Sequence, residues 1–183
     1  MFKHGYLLCF LFLFSSCLND DDNILEIPDM QPLIGEATVA LNDSAITFTA
    51  YAMQDQKENL IRIELDAWDE ALGYNRNISF SNVPLKVGVV DSLFNYSSLV
   101  QPSRSYCYYT AAEEDAIYAF YDLVENLPTT YFEILEIDKK KNLVKGKFQI
   151  TLSVEEGIDK NVGVLLEDTL RLVNGVFEAP LRN

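Results

Sequence analysis

From residue 35 onward, apolar side chains recur at every second position in run after run. That period admits one kind of element, a strand with one face buried and the other in water. Ile46, Phe48 and Ala50 alternate with Thr47, Thr49 and Tyr51; after the polar stretch Gln54–Glu58, Ile61, Ile63, Leu65 and Ala67 alternate with Arg62, Glu64 and Asp66. These two runs are expected to pair as a hairpin. Ile78 and Phe80 open another strand, which should stop before Pro84 because proline cannot donate to a ladder, and Leu85–Val90 is a further short apolar run. The cleanest division sets Val144, Gly146, Phe148, Ile150 and Leu152 against Lys145, Lys147, Gln149 and Thr151, with Tyr131–Asp138 leading into it through Lys139–Asn142 as a second hairpin. A third hairpin is expected at the carboxyl end, Thr169–Val173 and Val176–Ala179 around Asn174-Gly175, a pair that accepts the positive φ angles of a type I′ turn.

One stretch fits two periods. Ile117, Phe120, Tyr121, Val124 and Leu127 would share a helical face, yet Ala116–Leu123 is rich in strand-forming aromatics and follows Tyr106–Thr110 across an acidic turn. The aromatic enrichment favours a strand, as does the family resemblance below. No repeat or second linker interrupts residues 34–183. One all-β domain is expected, an antiparallel sandwich or barrel of about 150 residues, enough for one core.

The amino terminus has a different logic. Lys3 and His4 precede an apolar run from Gly5 to Phe14, then small Ser15 and Ser16, then Cys17. The run is shorter than the roughly 20 residues a membrane-spanning helix needs, and it has the layout of an export signal, residues 1–16. Phe14-Ser15-Ser16-Cys17 resembles the lipobox of bacterial lipoproteins, with Phe14 where leucine is usual; the resemblance implies that Cys17 becomes the lipid-bearing first residue. The alternative is ordinary cleavage just after Cys17. Residues 17–33, polar and acidic with two prolines, read as a flexible tether. Asp20–Asp22 resemble the signal that sends lipoproteins of Bacteroidota to the outer face of the outer membrane, which implies a lipid-anchored, cell-surface location.

The chain holds 14 basic and 28 acidic residues, a net charge of −14. Such a surface repels nucleic acid and anionic headgroups. Of three cysteines, Cys9 leaves with the signal and Cys17 takes the lipid, so Cys107 has no disulfide partner and is expected to be a buried packing residue. The only histidine, His4, also leaves with the signal. No Ser-His-Asp triad, Cys-His pair or imidazole zinc site can then be assembled, and the scattered glycines form no phosphate loop. Neither a cofactor nor a metal is expected; Asp20–Asp22 lack the spacing of a calcium loop.

Three stretches, SFSNVPLKVGVV at 79–90, TYFEILEIDKKKNLVKGKFQITL at 130–152 and DTLRLVNGVFEAPL at 168–181, resemble a group of uncharacterised small lipoproteins of Bacteroidota. The resemblance implies an anchored, all-β domain and assigns no activity. Asp43-Ser44-Ala45, Asp91-Ser92-Leu93 and Asp168-Thr169-Leu170 each resemble the Asp-Ser/Thr-aliphatic sequon of O-glycosylation in that phylum, which implies Ser44, Ser92 and Thr169 as acceptors.

Two kinds of residue remain as site candidates. Trp68 and Tyr51 fall by alternation on the solvent face, where a flat ring can stack on a sugar or a partner side chain. With the hairpin turning near residue 56, Trp68 would pair near position 44, roughly 20 Å along the sheet from Tyr51. Tyr106, Tyr108, Tyr109, Tyr118 and Tyr121 form a denser group, read as sheet stabilisation. Asp66, Asp69 and Glu70 around Trp68 could serve a glycosidase if two carboxylates stood roughly 5 to 9.5 Å apart. The function expected is therefore a non-catalytic, membrane-anchored binding or structural module, its partner a glycan or an envelope protein. A carboxylate-based glycoside hydrolase and a lipocalin-like carrier of an apolar ligand are the alternatives.

Overall fold

Each run with a two-residue period becomes a strand. The computed structural model describes residues 34–55, 58–71, 73–96, 104–113, 116–155 and 167–182; the expected signal segment 1–16, Cys17 and the expected tether 17–33 lie outside them. Ten strands occur among the described residues: β1 Gly35–Leu41, β2 Ser44–Asp55, β3 Leu60–Asp69, β4 Tyr74–Pro84, β5 Gly88–Val89, β6 Tyr106–Glu113, β7 Ala116–Leu123, β8 Tyr131–Asp138, β9 Leu143–Val154 and β10 Thr169–Arg182. The ambiguous stretch is thus a strand, β7, and the β2–β3 and β8–β9 hairpins form as the alternation requires.

The pairings close on themselves. Following them from β1 through β2, β3, β4, β6, β7, β9 and β10 returns to β1, so the sheet is a ring-like near-barrel. Its thinnest seam is β7 to β9, where only Tyr121, Asp122 and Leu123 pair. Along the rest of β9, β8 takes that edge, and the chain after β4 fills the space beyond it. There Val90 N–H donates to the Phe132 carbonyl, Phe94 N–H to the Ser105 carbonyl and Cys107 N–H to the Phe94 carbonyl.

Eight strands leave an interior about wide enough for side chains to fill, and here they fill it. Phe80 lies 4.6 Å from Phe132 and 5.0 Å from Phe148, centroid to centroid, and Phe132 stacks on Phe177 at 5.6 Å. Ile61, Ile63, Leu65, Ile78, Ile134, Leu152 and Leu172 complete the buried layer, and Cys107 is fully buried among them. The centre, which an apolar ligand would need to occupy in a carrier, is taken by these rings. Towards the β3–β4 turn the inward side becomes polar: Arg76 pairs with Asp69 beside Tyr74, and Tyr109 meets Tyr121 edge-on at 5.5 Å.

Two corrections concern the backbone. Asn174-Gly175 does not turn the chain; β10 runs through it as one strand. Leu172 pairs with Ile150 and Gly175 with Phe148, so Val173 and Asn174 together face Gln149 alone. This is a β-bulge, with Asn174 in the left-handed region at φ 55°. The extra residue switches the inward positions from Leu170 and Leu172 to Gly175, Phe177 and Ala179, so both halves of β10 contribute to the core. The two-residue turn with both φ angles positive is instead Asn42-Asp43, at 45° and 69°, joining β1 to β2.

The second correction is register. Thr49 pairs with Asp66 and Tyr51 with Glu64, which carries Trp68 to the level of Thr47 rather than of residue 44. Trp68 and Tyr51 are then four residues apart along the sheet, about 13 Å. A turn centred at 56 would have set outward Tyr51 against inward Ile61, which the pleat forbids because paired residues share a face.

Candidate functional site

The outward side of β2, β3, β4 and β6 carries the richest chemistry. Antiparallel register aligns side chains in rows across these strands: Tyr51, Glu64, Ser79 and Tyr108 form one, and Thr49, Asp66, Asn77 and Thr110 the next. Asn77 Nδ2 donates to Glu64 Oε2 at 3.0 Å and to Asp66 Oδ1 at 2.8 Å, bridging the two carboxylates. Ser79 Oγ donates to Glu64 Oε1 at 3.1 Å, and Arg62 Nε lies 3.3 Å from the same oxygen. Ser79 and Ser81 are both buried and share a hydrogen bond of 3.2 Å.

Although Glu64 points away from the barrel interior, it is only 6% exposed. Burial pushes its carboxyl above the usual range; Asn77, Ser79 and Arg62 pull it back, and Asp66 adds to the rise. Tyr51 is pushed up to about 12, by burial first and then by the charges of Asp66 and Glu64. Its ring is capped by the Arg182 guanidinium, 4.9 Å from the centroid, and its hydroxyl bonds Asp66. Of the two candidate rings, Trp68 is therefore the one open to solvent, at 59% exposure. It borders a groove of about 610 Å³ that Ile34, Thr47, Thr49, Asp66 and Asn75 also line.

The carboxylates around Trp68 do not converge. Asp66 faces out and bonds Asn77, whereas Asp69 is on the opposite parity of β3, ion-paired with Arg76 and accepting the Ala71 N–H at 3.1 Å. Glu70 is exposed beyond the strand end. The carboxylate that does meet Asp66 is Glu64, absent from the sequence candidates. Alternation shows Glu64 facing outward; it cannot show that this part of the outward face is covered.

The tyrosines divide between the two faces. Tyr109 and Tyr121 are buried in the interior, while Tyr106, Tyr108 and Phe120 stack along the outer face at 6.2 and 5.4 Å, with Tyr96 packed across all three. Tyr118 hydrogen-bonds Glu113. Cys107 is enclosed, and burial raises its thiol well above the ordinary range. Ser44, Ser92 and Thr169 are each exposed. Ser44 and Thr169 lie at one end of the barrel, where Asn42 ties the β1–β2 turn to β10 through the Arg171 N–H at 2.8 Å. Among the described residues no group of three or more histidine, cysteine, aspartate or glutamate side chains is placed to hold a metal ion.

No family model, curated protein or solved structure matches the chain. Any functional assignment therefore draws on its own residues.

Proposed function

We propose that the chain is an envelope lipoprotein, held on the outer membrane by a lipid on Cys17 and displaying its barrel at the cell surface as a non-catalytic binding or structural module. The anchor draws on Phe14-Ser15-Ser16-Cys17 following a short apolar run. The binding role draws on one observation: a tryptophan more than half exposed on a strand of a closed, packed barrel. Indole joins a large apolar face to one polar N–H, which suits it to interfaces, and a strand holds it in a fixed orientation. Replacing Cys17 by Ser should abolish acyl labelling in cells and release the barrel from the membrane fraction. Labelling that persists in the variant would remove the anchor from the proposal.

A second reading, a carboxylate glycosidase, draws on Glu64 and Asp66. They accept from one amide nitrogen, Asn77 Nδ2, and the raised pKa of Glu64 suits a general acid. Its burial leaves little room for a glycosidic oxygen, so the non-catalytic reading is preferred. Turnover of aryl glycosides by the parent and not by Glu64→Gln would reverse that preference.

A further inference from the structure

We propose that the groove bordered by Trp68 and Ile34 is the surface on which the anchored barrel rests against the lipid bilayer, the indole and the isoleucine entering the headgroup zone. This inference rests on the lipid-anchor reading above and names the partner of the Trp68 face.

The path of the chain supplies the first argument. At the open end of β1, the last residues of β10 take over the edge of β2: Leu181 pairs with Ala52 and Arg182 with Met53. With that edge taken, β1 begins at Gly35, which is pressed so closely on β10 that a Cβ there would lie 1.8 Å from the Glu178 carbonyl oxygen. The chain therefore leaves the ladder at Ile34, and Ile34 lines the groove with Thr47, Thr49, Asp66 and Trp68. The segment leading back to Cys17 begins at the rim of the groove that holds the exposed tryptophan.

The second argument is chemical. Ile34 is 57% and Trp68 59% exposed, and they stand together where an anchor would draw the protein to lipid. Indole, apolar with one N–H donor, is suited to the boundary between hydrocarbon and headgroups. Two of the neighbouring polar side chains are already engaged within the sheet: Thr49 Oγ1 donates to the Asp66 carbonyl at 3.0 Å, and the Asp66 carboxylate accepts from Asn77. That leaves these two less available to the hydroxyls of a sugar.

Residues 17–33 can reach roughly 55 to 60 Å when extended, enough for the barrel to settle in any orientation. Attachment at the groove nevertheless gives this face the highest effective concentration at the membrane. The net charge of −14 weakens that contact where headgroups are anionic.

Trp68 is the only tryptophan in the chain, so its fluorescence reports this surface alone. The full lipidated protein would be reconstituted into phosphatidylcholine vesicles with brominated acyl chains, and flotation measured on the same sample. The expected result is co-flotation, a blue-shifted emission and at least two-fold quenching, with quenching reduced in Ile34→Ser and in vesicles containing phosphatidylglycerol. Flotation with Trp68 unquenched and open to acrylamide would overturn this inference and leave the anchor standing. Failure to float would overturn the anchor reading, and this inference with it. Trp68 unquenched by the vesicles but quenched by soluble oligosaccharides would overturn it in favour of glycan capture.

Discussion

Gly175 offers the sharpest test of how the barrel closes. On β9 and β10, glycine and phenylalanine face each other twice in opposite senses: Gly175 pairs with Phe148, and Gly146 with Phe177. Each ring lies across the glycine on the other strand. A Cβ built on Gly175 would sit 2.5 Å from Phe148 Cζ, and one on Gly146 would sit 2.4 Å from Phe177 Cζ. The φ angle of Gly175 is not in the left-handed region, so an alanine there would suffer no backbone strain and the whole cost must come from the ring. Phe148 is fully buried and packed on Phe80, so it cannot swing aside. Overpacking of such a site costs about 1 to 3 kcal/mol, and Gly175→Ala should lose that much, Gly175→Val more. The diagnostic measurement is a double-mutant cycle with Phe148→Leu in urea. The pair should show a coupling of about 1 kcal/mol or more, the alanine costing less once the ring is gone, with midpoints shifting at constant m-value. An alanine variant as stable as the parent, or two costs that simply add, would refute the ring-over-glycine account.

Further outcomes follow from other sites. Cys107 is enclosed, with its thiol pKa raised by burial, so a thiol reagent should modify native protein only as fast as it unfolds; rapid labelling would show the site to be open. Because burial raises the Glu64 carboxyl above its ordinary value of 4.5, the folded state holds that proton more tightly than the unfolded one. Stability from this group is fully present below pH 4.5 and falls as pH rises through the raised value. Glu64→Gln should therefore lose that slope in a pH series of urea midpoints, and an unchanged slope would place its origin elsewhere. Asn174, left-handed at φ 55°, should accept glycine with little change, whereas Asn174→Val should cost about 1 to 3 kcal/mol, read from thermal midpoints; equal stability of the two would argue against the bulge.

Most of the strand inventory was legible because burial on one face of a sheet imposes a two-residue period. β2, β3 and β9 carry that period without interruption, and β7 was told from a helix by its aromatic content together with the family resemblance. Buried Cys107 was legible too, from the expectation that Cys9 and Cys17 leave it no thiol partner. The bulge in β10 was not. Asn174-Gly175 followed by a change of parity looks the same from the sequence whether the chain reverses or inserts one residue and continues, and only the partners on both sides, β9 and β1, make it continue. Register was partly available: matching faces across the β2–β3 hairpin excludes a turn centred at residue 56, but choosing among the permitted registers took the pairing itself. What lay beyond the sequence altogether were relations between side chains distant along the chain. The pattern shows which way Glu64 points; its burial depends on what covers that side of the sheet. Likewise, the exit of the chain at Ile34 beside Trp68 arises because the end of β10 occupies the edge of β2 that β1 would otherwise have used. Alternation is a property of one strand and its face, whereas covering, crossing and closure are properties of strands taken together, and those the tertiary structure alone decided.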